Sequence, residues 1–185
     1  MKNILLIIAL LFSVNSQATL IALSFDQTEY NNNETITGQL VASDLSYLLG
    51  GFAGTINFDP SQLALTGWSF GNGFDDGLGS YSAVDDSVAG TLYLEDFADF
   101  YADEPTIIAN QGASFVLASF TFNALSSGIQ TVSLLQGLEV VSFDNSQLES
   151  FAGQSVSFNV SQVPEPMSIV LLAAALVFLI RRPVS

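Results

Sequence analysis

Cysteine and histidine are both absent from the 185 residues of this chain. Without cysteine the chain forms no disulfide and no thiolate metal site. Without histidine it lacks the usual base for a serine nucleophile and the commonest ligand of transition metals. The chemistry left to a functional site is therefore that of carboxylates, hydroxyls, amides and aromatic rings.

Basic residues are almost as scarce. The chain has 18 acidic residues and only three basic ones, Lys2, Arg181 and Arg182, and its net charge is −15. Residues 19–163 contain no basic side chain and hold every acidic residue except Glu165. Such a region repels nucleic acid and anionic membrane surfaces, so nucleic acid is excluded as a partner. It has no internal salt bridge either, and we expect low pH or divalent cations to relieve its self-repulsion.

Residues 1–18 have the pattern of a secretory signal peptide. Lys2 supplies the positive start, residues 4–12 form a short apolar segment, and Ser16 and Ala18 are the small residues that precede a cleavage site. An uncleaved anchor is the alternative, but the apolar run is too short to span a bilayer comfortably. We therefore expect signal peptidase to cleave after Ala18.

A second apolar run, residues 167–180, lies near the C-terminus. As a helix it would span about 21 Å, whereas a bilayer core is about 30 Å thick. Arg181 and Arg182 follow directly, so the positive-inside rule places the C-terminus in the cytoplasm. One short transmembrane helix would then hold residues 19–163 on the outer side of the inner membrane, at least transiently.

Val163-Pro164-Glu165-Pro166, the apolar run and Arg181-Arg182 follow one another in this order at the end of the chain. With these features the C-terminal segment, residues 161–185, resembles the PEP-CTERM sorting signal of exported proteins in Gram-negative bacteria that make extracellular polysaccharide. The resemblance implies that an exosortase, a membrane transpeptidase-like enzyme, handles this segment and that the protein reaches the cell surface or the extracellular matrix. A single-pass anchor that happens to contain Pro-Glu-Pro is the alternative. The prolines would keep the motif extended and accessible to an enzyme. The residues that carry the resemblance are Pro164, Glu165, Pro166, Arg181 and Arg182.

Between the two ends, short β-prone segments alternate with turn signals such as Asn31-Asn32-Asn33 and Ser126-Ser127-Gly128. No long segment before the C-terminal run has a hydrophobic period of 3.6 residues. About nine strands predict an all-β, two-sheet sandwich or jelly roll over residues 19–160. The predicted strands are 20–25, 35–42, 51–58, 63–70, 90–97, 114–125, 129–135, 138–143 and 154–160.

Parts of this region resemble the cohesin module. In GGFAGTINFDPSQLAL (Gly50–Leu65) a strand ends in Phe-Asp-Pro and a leucine follows. ASFTFNALSSGIQTVSL (Ala118–Leu134) is similar to the later cohesin strand pair with its small-residue turn. The resemblance implies a nine-stranded jelly-roll sandwich that serves in protein–protein or carbohydrate-surface assembly.

Two acid-rich segments, Gly71–Asp86 and Glu95–Glu104, are candidate calcium sites. Calcium takes 6–8 oxygen ligands, and carboxylates on flexible loops supply them well. The spacing does not match the EF-hand loop. Solvated acidic loops, or diffuse binding of divalent cations, are the competing interpretations. The candidate ligands are Asp75, Asp76, Asp85, Asp86, Glu95, Asp96, Asp99, Asp103 and Glu104.

Aromatic residues near these loops raise the hypothesis of carbohydrate binding. Tyr101 lies among acidic residues, and we expect its ring to be exposed. We expect Trp68, at strand spacing, to be packed in the core. An enzyme is disfavoured: a glycosidase needs two positioned carboxylates, and nothing in the sequence marks one pair.

The sequence therefore predicts an exported, non-enzymatic protein of the cell surface or matrix, acting in adhesion or in assembly of extracellular polysaccharide. Its partner would be that polysaccharide or another surface protein. A calcium-dependent carbohydrate-binding module is the alternative function, and a matrix hydrolase the third.

Overall fold

The computed structural model describes residues 20–162, which fold into twelve strands and one short helix. Ala18, the sorting motif and the segment 167–180 lie outside the described residues. Within residues 20–162, no helix has the length and hydropathy needed to cross a bilayer. The elements are β1 (Leu20–Phe25), β2 (Glu29–Asn31), β3 (Thr35–Ser43), β4 (Leu49–Phe58), β5 (Leu63–Phe70), β6 (Ser80–Asp85), β7 (Thr91–Ala98), α1 (Glu104–Gln111), β8 (Ser114–Ala124), β9 (Gly128–Leu134), β10 (Leu138–Ser142), β11 (Leu148–Phe151) and β12 (Gln154–Ser161).

All nine predicted strands are present, each within two residues of its predicted bounds. Three short strands, β2, β6 and β11, and the helix α1 were not predicted. The acid-rich segment Glu95–Glu104 is therefore not a single loop. Its first residues lie on β7 and its last residue begins α1.

The strands form two sheets. The smaller sheet has the order β1-β3-β8-β5. The larger sheet has the order β11-β10-β4-β9-β12-β2, and β7 joins it by pairing with β4 while β6 pairs with β7. The strand β12 runs parallel to β2, whereas the remaining pairs are antiparallel. The result is an all-β sandwich.

Aromatic rings from both sheets fill the space between them. Phe120 and Phe122 on β8 are fully buried, and the Phe122 ring meets Phe58 of the larger sheet at a centroid distance of 4.8 Å. The Phe25 ring packs against the rings of Phe120 and Phe158, with centroid distances of 6.0 Å and 4.7 Å. Burying one such side chain contributes about 1.5–3 kcal/mol, so this aromatic layer is a main source of stability.

Charge is distributed unevenly between the two sheets. The strands β1, β3, β5 and β8 of the smaller sheet contain no charged residue. Acidic residues lie instead in loops and on β2, β6, β7, β10 and β11 of the larger sheet. The smaller sheet is thus a neutral surface on an otherwise strongly anionic domain.

The helix α1 is fixed by its caps. The carboxylate of Asp103 accepts hydrogen bonds from the N–H of Thr106 at 3.1 Å and from its hydroxyl at 2.6 Å, and a proline follows in the first turn. At the other end Gly112 has φ of 51° and donates its N–H to Ile108. An eight-residue helix depends on such caps because it has few internal hydrogen bonds.

Two amides at the end of α1 attach it to the rest of the domain. Gln111 is buried: its amide nitrogen donates to the carbonyls of Leu49 at 2.7 Å and Gly73 at 3.1 Å, and its oxygen accepts from the Leu49 N–H at 3.0 Å. Asn110 donates to the Asp75 carbonyl at 2.8 Å. The helix therefore holds the start of β4 and the loop of residues 71–79 together.

The prediction that Trp68 is packed in the core is wrong. Its side chain is 43% exposed. The strand β5 is at the edge of the smaller sheet, so it has a neighbouring strand on one side only, and its pairing with β8 shifts register between Leu65 and Gly67. The indole contacts Phe70 at a centroid distance of 5.8 Å and otherwise faces outwards.

Candidate docking face and acidic loops

The outward side of β6, β7, β4 and β10 carries a row of apolar residues. Strand register places Tyr81 beside Phe97, Phe97 beside Gly51, and Gly51 beside Val141. Tyr81 is 66% exposed, and Phe97 and Val141 are partly exposed. We call the outward side of these four strands the outer face. It holds this apolar row, an acidic row with Glu95 and Glu139, and a third row with Tyr93.

An acidic row runs next to the apolar row. Register pairs Ala83 with Glu95, Glu95 with Ala53, and Ala53 with Glu139. The third row contains Tyr93, whose hydroxyl donates a hydrogen bond to Glu95. That hydrogen bond, together with partial burial and the charges of Glu95 and Glu139, raises the pKa of Tyr93 to about 12. Tyr93 thus keeps its proton at any physiological pH and holds the Glu95 carboxylate in place.

A groove of about 420 Å³ opens where the apolar row meets the ends of β7 and β10. Four aromatic rings line it: Tyr81, Phe97, the 84%-exposed Phe100 and Phe143. The opposite wall is the turn after β10, which contributes Phe143, Asp144 and Asn145 among its residues. The groove therefore combines aromatic surface with hydrogen-bonding groups.

The Asp144 carboxylate in this groove is held ionised by hydrogen bonds. Its Oδ1 accepts from the hydroxyls of Ser142 and Ser146, each at 2.7 Å, and from the Ser146 N–H at 3.0 Å. The Ser142 hydroxyl is the largest cause, followed by Ser146, and together they lower the pKa of Asp144 to about 2. A fixed negative charge at the groove favours a ligand with a donor or a positive group.

The nine candidate calcium ligands are spread over several parts of the domain. Glu95 is on the outer face, and Asp99 lies in the groove, where it accepts from the Tyr101 N–H. Asp85 ends β6 and accepts from the Ser87 N–H, and Asp86 follows it in the same turn. Glu104 begins α1. No group of three acidic residues within the described range comes close enough to hold one metal ion, so the whole set does not form a single site.

Three of the candidates meet where the loop of residues 71–79 passes α1. Asp76 accepts from the N–H of Leu78 at 3.0 Å and of Asp103 at 2.9 Å. These bonds lower the pKa of Asp76, the one from Asp103 most. Asp75 Oδ1 accepts from Gly77 and Gly79 at 2.7 and 2.8 Å. Here the carboxylates serve as acceptors for backbone N–H groups that would otherwise lack partners.

Asp96 differs from the other eight candidates because it faces the core. It alternates with Leu92 and Leu94 on β7, and all three side chains are buried. Neither of its carboxylate oxygens makes a hydrogen bond within residues 20–162. Burial is the main cause that raises the pKa of Asp96 to about 6. The nearby Ser80 hydroxyl and Phe97 N–H oppose this rise, but neither has hydrogen-bond geometry.

The Tyr101 ring is 88% exposed, in agreement with the sequence-based expectation. It packs edge-on against Phe100 with a centroid distance of 5.2 Å. The groove residues of the turn after β10 were not predicted from the sequence. Asp144-Asn145 is a turn signal in the sequence, and only the fold shows that this turn lines the same groove as Tyr81.

No family model matches the chain, and no curated protein matches it. Solved structures do. A cohesin module from a Clostridium perfringens family 33 glycoside hydrolase superposes with a TM-score of 0.59 at 10% identity, covering 79% of this chain and 100% of that one.

Two structures from Acetivibrio cellulolyticus are similar as well. A type II cohesin domain from its cellulosome gives a TM-score of 0.60 at 15% identity, covering 78% of this chain and 92% of that one. The sixth cohesin of its scaffoldin B, solved in complex with a Cel5 dockerin, also gives a TM-score of 0.60. The identity is 17%, and the match covers 76% of this chain and 99% of that one. At these identities the likeness establishes the fold: residues 20–162 form a cohesin-like β-sandwich.

Proposed function

We propose that this protein is an exported, non-enzymatic docking module whose outer face binds a partner protein. The observation that carries the proposal is the outer face itself, where an apolar row of Tyr81, Phe97 and Val141 runs beside the acidic row of Glu95 and Glu139. The cohesin-like fold supports it, since a module of this fold has been solved with a dockerin bound. The partner of this chain would be another surface or matrix protein.

The chemistry of the outer face specifies the partner further. Residues 19–163 carry no basic side chain, so every charge on this surface is negative. A partner with basic residues around an apolar centre is steered towards it, and association slows as salt is added. Aromatic residues at the centre of an interface supply most of the binding energy. Tyr81 and Phe97 are the residues that would do so here.

Photo-cross-linking in the producing cells tests this proposal. A photoreactive amino acid replaces Tyr81 or Val141 on the outer face, or Gln39 or Thr121 on the outward side of the smaller sheet as matched controls. We expect one discrete cross-linked protein from the first pair and none from the second. Glu139→Lys should abolish the product. Cross-linking that is equal at all four positions, or absent at 81 and 141, would reject the outer face as the docking surface.

The delivery of the module is a separate part of the proposal. Export with cleavage after Ala18, a transient hold by residues 167–180 and release by an exosortase would bring it to the cell surface or the polysaccharide matrix, where it would act in adhesion or assembly. Support comes from the sequence: Pro164-Glu165-Pro166 precedes the apolar run, and Arg181-Arg182 follows it.

Deletion of Pro164–Pro166 tests the sorting step. We expect a membrane-bound precursor to accumulate and surface display to fall. The matched control deletes residues 161–163, which removes three residues while leaving the motif intact, and it should still be processed. Intact mass of the native protein would locate both cleavage sites. Normal display of the deletion of 164–166 would refute exosortase sorting without affecting the docking proposal.

A second candidate function, carbohydrate binding, is favoured by the groove. Rings such as Tyr81 and Phe100 stack on sugars, and Asp144 and Asn145 offer hydrogen-bonding groups across from them. Calorimetry with polysaccharide purified from the producing cells decides between the two functions. Heat that is lost in both Phe100→Ala and Asn145→Ala would support the carbohydrate site, with Trp68→Ala as the exposed-aromatic control. Absence of heat would leave the outer face as a protein-binding surface.

A further inference from the structure

The buried carboxylate of Asp96 requires an explanation that docking does not provide. Its side chain is completely buried, and among residues 20–162 no group forms a hydrogen bond with either oxygen. An ionised carboxylate without a partner is costly in an apolar environment. The exported region holds no lysine, arginine or histidine that could pair with it.

The loop of residues 71–79 packs against the strand pair that carries Asp96, and it contains a second carboxylate. Phe74 of this loop is buried and packs on Phe52 with a centroid distance of 6.1 Å. Phe52 is the register partner of Asp96 on β4. Asp75 follows Phe74 directly, and its negative charge acts on Asp96. The Ser80 hydroxyl, next along the chain after the loop, also lies close to Asp96.

Asp75 is held in position with one oxygen left over. Its Oδ1 accepts the N–H groups of Gly77 and Gly79, which have φ of 99° and 108°. Its backbone carbonyl accepts from Asn110 of α1. Within the described part of the chain, Oδ2 makes no hydrogen bond. Both oxygens of Asp96 and Oδ2 of Asp75 are thus without a donor, and Phe74, the residue before Asp75, packs on the register partner of Asp96.

We propose that Asp75 and Asp96 bind one calcium ion between the loop of residues 71–79 and β7. Calcium is a hard cation that accepts carboxylates in one- or two-oxygen contacts and tolerates irregular geometry. It completes its shell with neutral oxygens, of which the Ser80 hydroxyl is one at hand, and with water. Magnesium demands near-ideal octahedral geometry and gives up its water reluctantly, so it fits a buried two-carboxylate site less well.

This site differs from the docking surface in place and in role. Asp96 faces the core, whereas its neighbours Glu95 and Phe97 face outwards on the same strand. A bound ion would join the loop and α1 to the strand that carries Phe97. The ion would also remove the net repulsion between the two carboxylates. A protonated Asp96 without any metal is the competing explanation, and the experiment below separates the two.

The test uses the full-length protein, freed of metal with a chelator. Equilibrium dialysis against radioactive calcium at neutral pH gives the stoichiometry, and thermal unfolding in CaCl₂ is compared with NaCl of equal ionic strength. We expect one calcium per chain and an unfolding midpoint that rises with calcium concentration. Asp75→Asn and Asp96→Asn should lose both effects. Asp86→Asn, an exposed loop variant with the same change of charge, should keep them.

Metal-free Asp96→Asn should be at least as stable as the metal-free parent, because the substitution removes a buried charge. Loss of binding in a folded variant is then attributable to the site. An equal response to calcium in Asp96→Asn and Asp86→Asn would mean that cations only screen the acidic surface, and the proposal fails. It also fails if no calcium binds at this site. Neither failure affects the docking proposal.

Discussion

The ring of Phe97 lies over the backbone of Gly51, its register partner on the neighbouring strand. A Cβ atom added to Gly51 would stand 2.0 Å from the ring, closer than any real contact. Glycine is therefore required at position 51 for Phe97 to lie flat against the sheet and complete the apolar row of the outer face.

Gly51→Ala should displace Phe97 and weaken partner binding. We expect the cross-linked product from position 81 to fall at least several-fold, while the protein loses about 1–3 kcal/mol of stability from the crowding. Gly67→Ala is the control, because Gly67 lies on the smaller sheet, away from the outer face. Its added Cβ would approach only the hydroxyl of Thr121 on the neighbouring strand, at 3.2 Å. Unchanged cross-linking in Gly51→Ala would show that the position of Phe97 does not matter for docking.

Metal-free protein should become more stable as the pH falls from about 7 to about 4. The pKa of Asp96 is about 6 in the folded state against 3.8 ordinarily, so the folded protein binds the proton more tightly than the unfolded chain. Protonation then favours folding, by at most about 3 kcal/mol over this range. Urea unfolding across this range in the presence of a chelator measures the slope.

The variant Asp96→Asn isolates this effect. It should flatten the slope between pH 7 and 4, whereas Asp86→Asn should keep it. Equal slopes in the two variants would assign the pH dependence to general repulsion among the carboxylates. Below about pH 4 the trend should reverse, since Asp144, with its pKa lowered to about 2, loses hydrogen bonds to Ser142 and Ser146 as it is protonated.

Gln111→Ala should destabilise the domain by about 3 kcal/mol or more. The substitution leaves the buried N–H and C=O of Leu49 and the carbonyl of Gly73 without this partner. Each unsatisfied buried polar group costs about 1–3 kcal/mol. Asn110→Ala removes one partly buried hydrogen bond and should cost about 1 kcal/mol. Urea unfolding measures the free energy of unfolding of both variants. Equal losses of stability would mean that the Gln111 amide does not hold α1 to the sandwich.

Trp68 is the one tryptophan of the chain, so its fluorescence reports a single environment. With the indole 43% exposed, we expect a neutral quencher such as acrylamide to quench it readily in the folded state. Trp68→Ala should cost no more than about 1 kcal/mol, against about 3–5 kcal/mol for the buried Phe122→Ala. Emission protected from the quencher until unfolding would contradict the exposed position.

The strands that bury one face could be predicted from the sequence, because β-branched and aromatic residues alternate with polar ones along them. β6, SYSAVD, lacks this signal because most of its side chains are exposed. The helix α1 has eight residues and a proline in its first turn, too few to display a period. Its existence depends on the Asp103 cap and on Gln111, whose partners Leu49 and Gly73 are distant in the sequence.

The candidate sites were less predictable than the strands, because they depend on strand register and loop packing between distant parts of the chain. The alternation of Leu92, Leu94 and Asp96 does place the carboxylate on the core face, but the arrival of Asp75 beside it depends on how Phe74 packs. The outer face combines residues 51, 81, 97 and 141, which only the register of four strands brings into one row. Local pattern does not encode that register.

The uneven distribution of charge gives the domain one neutral side and one negatively charged side. Its uncharged sheet, β1-β3-β8-β5, lies opposite the sheet that carries the acidic row. At an anionic bacterial envelope, the location proposed above, such a domain is least repelled when its neutral side faces the envelope. We therefore expect a tethered molecule to stand with Tyr81 and Phe97 pointing away from the cell. Electrostatic orientation alone would present the docking surface to the medium.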